Sequence, residues 1–469
     1  MILATEQKSR EDYPFEFFFS EVDDLISVDS IRDPLGTQII WGYYGQKIFN
    51  NKLTTIANDI RNYSINLFIH GTRKRIKEEW QKHLFSIDFT KPISESIIIA
   101  LENLVVYSIL TDDDQTKSER GLLGIQRAKE RIESTKNQTE CKLKILELNL
   151  RNNGYDSKIK EVEILKRQIS LGVHGRYKSP FIELKFFNKN LEYLSSINEE
   201  NKNVWNLIES ENFTNFNELI YNTADWILKH FIGKRKNSSI KIEFNTSSEE
   251  LASIIQEIRR QFSKNILSEK LKNLWKNILN LNEDSVAGKL FDIILTRLQT
   301  NKDQKLENKT LFSDPTIVSD ENIQLIIKLE NSLCRVSYLF DYLLYEKTSN
   351  LEVDWLNKAE IQNKILETAN YFREIEIHSN NSATKRLQDL KNIFLNTVPS
   401  DVLNSLLLYH NKIMQGRGAQ PWITITGNSI QNNAFRIKES EFKKIKFGDW
   451  YHDYYISSLK SIAIGFLNS

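Results

Sequence analysis

Two cysteines in 469 residues, Cys141 and Cys334, exclude a disulfide framework and a cysteine-rich zinc site, and suit a reducing cytoplasm. Seven prolines and sixteen glycines are too few for the many turns of an all-β protein. An excess of one charge is missing too: 63 Lys and Arg stand against 62 Asp and Glu, a formal net charge of +1. No global field therefore gathers nucleic acid or an anionic membrane. The most apolar segment, residues 97–110, is broken by Glu102 and Asn103 and falls short of the ~20 residues of a membrane span. It reads as a buried helix. Charged residues near the N-terminus leave no apolar core for a signal peptide.

Chemical signatures are equally scarce. No phosphate loop, dinucleotide fingerprint, nucleophile elbow or deaminase motif occurs. The histidines, at positions 70, 83, 174, 230, 378, 410 and 452, place no pair at metal-ligand spacing on one helix face. No cofactor or metal is expected.

What is present is helical periodicity. The densest stretch is residues 33–71. Asp33-Pro34-Leu35-Gly36 is a turn signal, and Ile40, Tyr44 and Ile48 share one helical face, with Trp41 beside them. A helix is predicted over residues 37–49, ended by Asn50-Asn51. A second is predicted from Thr54-Thr55 to His70-Gly71. Gly42 and Gly45 admit close packing of another backbone, or let Trp41 and its neighbours line a pocket.

Before this stretch, Phe15, Phe17, Phe18 and Phe19 read as a cap on a core or as a partner surface. After it, Asp112, Asp113 and Asp114 read as an N-cap cluster. Residues 126–150 and 157–171 are expected to form a long antiparallel helical hairpin about Asn152-Asn153-Gly154. Its seams are Leu143, Leu146 and Leu150 against Ile159, Val162, Leu165 and Ile169. Residues 239–244 alternate and read as a short strand.

Residues 300–320 are polar and weakly periodic, a linker signal. Helices follow near 321–346, 353–378, 383–396 and 401–414. A C-terminal β-hairpin is expected from residues 423–426 and 435–437. The predicted class is mainly α: helical hairpins and bundles with few strands. The predicted division is an N-terminal helical domain (1–116), a middle helical region (117–299), a linker (300–320) and a C-terminal helical domain (321–469).

Several places invite binding. Gly416 and Gly418 flank Arg417, where a backbone and a guanidinium can meet an anion, with His410 and Trp422 beside them. The alternative is Arg417 bonded to carbonyl groups. A loop holding Gly172, Gly175 and Pro180 presents His174, Arg176 and Tyr177. Basic stretches lie at Arg73, Lys74 and Arg75 through Lys82, at Arg259 and Arg260 through Lys276, and at residues 436–446. Each is a phosphate-binding patch or a solvated helix face. Glu183-Leu184-Lys185 matches half of an E-x-K nuclease site, in which the carboxylate binds Mg²⁺.

These features point to a non-enzymatic helical scaffold or adaptor of a multiprotein assembly, with other proteins as partners and no membrane. The richness in Asn, Ile and Lys suggests an AT-rich bacterial genome. The alternatives are a nucleic-acid-associated subunit of a phage-defence or DNA-maintenance system, resting on the basic stretches, and an E-x-K nuclease.

Overall fold

A computed structural model describes residues 33–467, apart from residues 56–58, 84–86, 113–120, 136–141, 152–153, 158, 194–203, 209–210, 236–237, 264–267, 301–306, 346–350, 353–357, 427–428 and 434–436. The phenylalanine cluster at 15–19, Asp113, Asp114 and Arg436 lie outside the described residues.

The fold is mainly α. It opens with α1 (Thr37–Phe49), α2 (Arg61–His83), α3 (Lys91–Leu110) and α4 (Ile125–Thr135), followed by β1 (Lys142–Arg151) and β2 (Gly154–Ser157). Two single turns, α5 (Ile159–Val162) and α6 (Gln168–Leu171), lead into α7 (Val173–Glu183), α8 (Val204–Ile208) and α9 (Thr214–Lys229). Then come β3 (Ser239–Asn245), α10 (Glu249–Phe262), α11 (Glu269–Ile278), α12 (Val286–Thr300), α13 (Asn308–Phe312) and α14 (Glu321–Tyr345). The chain finishes with β4 (Leu351–Glu352), α15 (Ala359–Arg373), α16 (Ser382–Asn396), α17 (Val402–Gly416), β5 (Ile423–Thr426), β6 (Ser429–Asn432), α18 (Glu439–Phe442) and α19 (Ile456–Leu467).

Two compact units result, and neither is continuous in sequence. Unit 1 joins Met1–Asn50 to Lys305–Ile456; unit 2 joins Asn51–Gln304 to Ser457–Ser469. The crossing at 304/305 falls inside the stretch expected as a linker. The N-terminal helix α1, expected to belong with residues up to 116, packs instead on α14 and α16.

In unit 1 the start of α1 is set locally. Asp33 Oδ1 accepts the Thr37 hydroxyl (3.2 Å) and the Gln38 N–H (3.2 Å), and Gly36 takes φ 65° before the first turn. Asn50, at φ 49°, closes the helix by donating its N–H to the Gln46 carbonyl. Gly45 leaves the space that the Tyr455 ring fills, since a Cβ there would stand 2.9 Å from that ring. Further along, Glu330 of α14 is buried and takes four donors. These are the Tyr451 N–H (2.5 Å), the His452 N–H (3.1 Å), the His452 Nδ1–H (2.9 Å) and the Tyr454 hydroxyl (3.0 Å). One side chain thus straps residues 451–454 to α14.

In unit 2, α2 is the centre, packed by α3, α7, α9 and α10. The expected break at Gly71 does not occur. The helix begins at Arg61 and runs through Gly71 to His83, because the missing Cβ admits the Ile220 side chain of α9, which would lie 2.7 Å from it. That contact offsets the cost of a mid-helix glycine, roughly 1 kcal/mol. Tyr63, Tyr177, Phe181 and Trp275 pack with ring centroids 4.7–6.4 Å apart, and the Trp275 indole donates to Ser64 Oγ at 2.8 Å. Among the described residues α3 alone is long and apolar enough to cross a membrane, and it is 94% buried within the fold.

The long helical hairpin expected at 126–171 is replaced by strands. β1 pairs antiparallel with both β2 and β3, in the order β2-β1-β3, with Leu148 opposite both Ser157 and Ile240. The spacing of Leu143, Leu146 and Leu150 suits a helix, yet Leu146, Leu148 and Leu150 also alternate. A bulge between Lys144 and Leu146 lets Leu143 and Ile145 join the buried set. The expected C-terminal hairpin is made by β5 and β6, so its second strand lies at Ser429–Asn432, before residues 435–437. The expected loop at 172–180 is helical, forming α7.

Replacing Glu330 by Leu leaves three buried donors, the His452 N–H, the His452 Nδ1–H and the Tyr454 hydroxyl, without their acceptor, at roughly 1–3 kcal/mol each before relaxation. The Glu330→Leu chain is expected to lose at least about 3 kcal/mol of stability, read as a lowered urea midpoint.

Candidate functional site

A cluster of buried ionisable side chains in unit 2 lies where α2, α3, α6 and α7 meet. Helical spacing on α2 puts Asn62, Asn66, His70 and Arg73 on one face. That face is turned inward: the Asn62 amide donates to the Gly121 carbonyl (3.1 Å) and Arg73 Nε donates to Ser94 Oγ (2.7 Å). Asn66 is fully buried, and neither its Nδ2 nor its Oδ1 has a partner among the described residues.

His70 Nε2 and His174 Nδ1 share a hydrogen bond of 2.9 Å. Arg73 donates to the Tyr193 hydroxyl at 2.6 Å, and that hydroxyl stands 3.3 Å from His70 Nδ1. A guanidinium can only donate. Each donor in the chain finds an acceptor when the Tyr193 O–H points to His70 Nδ1 and the His70 Nε2–H to His174 Nδ1. Burial first, then the neighbouring positive charges, lowers both histidines, His70 well below its usual range and His174 to about 3. The pair is therefore neutral at physiological pH. Burial drives the Tyr193 hydroxyl up to about 12 against the pull of Arg73.

Next to the pair sits Glu102 of α3, 4% exposed. Its Oε1 accepts the His174 N–H at 2.8 Å and its Oε2 accepts the Gln168 amide at 2.9 Å; the Val173 N–H also donates to the carboxylate. Glu102 thus caps the N-terminus of α7 from another helix, where a negative charge is favoured. Gly172 provides the notch, because a Cβ there would lie 2.3 Å from Oε2 and 2.5 Å from the Gln168 carbonyl. A cavity of about 10 Å³, the space of roughly one water, is lined by Glu102, Gln168 and Gly172 with Ile65, Val105 and Ile164. The cavity does not accommodate a substrate-sized molecule.

The sites named from sequence lie elsewhere or serve the fold. In unit 1, Arg417 donates to the Asp33 carbonyl (2.5 Å) and carboxylate (2.7 Å). Buried His410 donates its Nδ1–H to the Pro34 carbonyl (2.8 Å) and accepts the Trp422 N–H at Nε2 (3.0 Å). These three residues do come together, as an anchor for the chain entering α1. Trp41 stands apart from them, its ring edge-on to Tyr454 and Tyr455. In unit 2, Arg176 donates to the Leu171 carbonyl at 2.9 Å.

The cations proposed as phosphate contacts have partners within the fold. Arg73 belongs to the buried cluster. Lys74 pairs with Glu78 and Arg75 with Glu79, both at 2.9 Å, and Arg75 also lies over the Tyr221 ring. Arg259 bonds to the Ser108 carbonyl and Thr111 hydroxyl, and Arg260 grips Glu257 through two bonds of 2.7 Å. The Glu183-Leu184-Lys185 triplet ends α7, with Lys185 at φ 63°, so it lacks the strand that an E-x-K site uses. Among the described residues no three His, Cys, Asp or Glu side chains gather as a metal site.

Glu102, Gln168 and Tyr193 were not anticipated as a site. The one local signal was a carboxylate inside an apolar run. Comparison with protein-family models, curated proteins and solved structures finds no match.

Two outcomes follow. Gly172→Ala pushes a methyl group into the Glu102 carboxylate and is expected to lower stability by about 1–3 kcal/mol, as overpacking does, measured by denaturant unfolding. The second concerns pH. Below about 6.5 the unfolded chain takes up protons that buried His174 refuses until about pH 3, so the stability it contributes is lost as pH falls through that window. The urea midpoint of His174→Phe should fall less steeply from pH 6.5 to 4.5 than that of the parent.

Proposed function

We propose that the chain is a non-enzymatic helical scaffold or adaptor that works by contact with other proteins. The observation that supports this reading is a set of large apolar side chains left in water on unit 1. Leu408 of α17 is 66% exposed, Val398 63% and Leu366 of α15 50%. The turn at Val398 leads into α17, and α15 and α17 both pack against the segment that follows it. Burying one aliphatic side chain is worth about 1.5–3 kcal/mol, so a partner covering them would gain affinity from few contacts.

The second reading, a nucleic-acid-associated subunit of a phage-defence or DNA-maintenance system, is weakened by the internal ion pairs. A cation already facing a carboxylate must break that pair to meet a phosphate, which reduces the gain from counterion release. A bacterial cytoplasm is the setting we propose with the first reading, on the amino-acid usage and the two cysteines.

The test compares the full chain with its Val398→Lys, Leu408→Lys form. Exposed substitutions of this kind usually change stability by no more than about 0.5 kcal/mol. Cross-linking in the host followed by mass spectrometry is expected to yield a defined set of proteins that the double variant loses at least tenfold. Equal recovery by both chains, together with a DNA mobility shift at ~50 mM salt that Arg260→Ala weakens, would favour the second reading instead.

A further inference from the structure

We propose that strand β3 is the seam of a homodimer: its outer edge pairs antiparallel, about Ile242, with the same edge of a second copy of the chain. The inference goes beyond the scaffold reading and does not depend on it, since the exposed apolar set of that reading lies on unit 1.

The edge itself carries the first part of the argument. In the order β2-β1-β3 both β2 and β3 are outer strands. β2 is four residues long, which blunts it as a template, whereas β3 runs for seven, Ser239–Asn245, without a proline. Among the described residues β1 is the one strand beside β3. The Leu150 N–H donates to the Ser238 carbonyl (2.9 Å), and the register sets Leu148 opposite Ile240 and Leu146 opposite Ile242. Main-chain groups alternate in direction along a strand, so positions 238, 240 and 242 turn theirs to β1. The N–H and C=O of Ser239, Lys241 and Glu243 point outward, and among the described residues no turn or loop bond reaches them.

The register is the second part. Outward groups can bond only to outward groups, so odd positions must face odd positions. Centring the pair on Ile242 achieves this over the whole strand. Lys241 then faces the partner's Glu243, Glu243 the partner's Lys241, and Ser239 the partner's Asn245. One step to either side centres the pair on Lys241 or Glu243, which sets like charges directly opposite and shortens the overlap. Buried Ile240, Ile242 and Phe244 keep to one face of the joined sheet, because facing residues of neighbouring strands project to the same side.

The charges continue a pattern already present in one copy. Glu147 of β1 faces Lys241, and Lys144 faces Glu243. Along their strands, Lys144 pairs with Glu147 at 2.9 Å and Lys241 with Glu243. In the dimer one row reads Glu147, Lys241, the partner's Glu243 and the partner's Lys144, so the sign alternates straight across the seam. A lysine on an edge ordinarily discourages pairing; here Glu243, two positions on, offsets it and makes β3 complementary to itself. The result is a two-fold contact between identical patches, one continuous sheet in the order β2-β1-β3-β3-β1-β2.

One strand pair is a small interface, so the dimer is expected to dissociate in the micromolar range. Sedimentation equilibrium of the full chain from about 1 to about 200 μM spans that range. The parent is expected to show reversible monomer–dimer exchange. Lys241→Glu and Glu243→Lys each set like charges face to face, and each is expected to raise Kd about tenfold or more. Both side chains reach the surface, so the fold is retained. An equimolar mixture of the two variants makes every facing pair opposite in charge again and is expected to recover the parent's Kd as a heterodimer. The pair between Lys241 and Glu243 within one chain is broken in both variants alike, so a merely structural role gives no recovery on mixing. The Val398→Lys, Leu408→Lys chain should dimerise as the parent does, which keeps this test apart from that of the scaffold reading. A dimer that the single variants leave unchanged, or a mixture no tighter than its components, overturns the pairing. A parent chain still monomeric at about 200 μM overturns it too, and leaves the edge to a strand from another protein.

Discussion

The first turn of α7 and the strap at residues 451–454 are held in the same way: each ends on a carboxylate that a neighbouring helix has carried out of water. Taking such a group into the core is unfavourable unless donors replace its hydration. Glu330 meets that demand with four donors from one short segment. Glu102 meets it with two N–H groups and an amide from α6 and α7. In both places the need to satisfy one side chain dictates where a sequence-distant piece of backbone must lie. The apolar surfaces around them supply most of the stabilisation, but they specify position less sharply, since hydrophobic contact is non-directional.

Helix α1 was legible from sequence because its limits are local. Asp33, Gly36, Asn50 and the run from Ile39 to Phe49 lie within eighteen residues, and the bonds of Asp33 to Thr37 and Gln38 and of Asn50 to Gln46, which start and stop the helix, are made within that span. The strand β1 was not legible. Its leucines fit a helical seam as well as they fit alternation, and the partner that decides between the two, β3, comes after roughly ninety further residues. The helix break expected at Gly71 failed for a related reason: Ile220 on α9, the side chain that fills the gap, is nowhere near it in sequence. The site shows the same limit. An acid inside an apolar run marks Glu102 as unusual, but its partners at 168, 172 and 174 become neighbours only through the fold. His70 and His174 are 104 positions apart.

The charged residues tell a related story. Arginines and lysines that look like phosphate contacts when read along the chain are matched in space by Glu78, Glu79 and Glu257, or turned onto main-chain oxygens. Exposed pairs of this sort contribute little stability, about 0–1 kcal/mol each. Their larger effect is to hide positive charge that composition alone leaves in view. Polar identity at the surface is thereby muted, while Leu366, Val398 and Leu408 stay uncovered.

The interleaved segments of the two units also bear on how the chain is made. A ribosome releases α1 long before it releases α14 and α16, the helices on which α1 comes to rest. Some 270 residues intervene, and at about 5–20 residues per second that is an interval of tens of seconds or less. Throughout it, Ile40, Trp41, Tyr44 and Ile48 have no native surface to rest on. Nascent α1 thus waits without its native neighbours, and the speed of translation through residues 51–304 sets how long that apolar face stays uncovered.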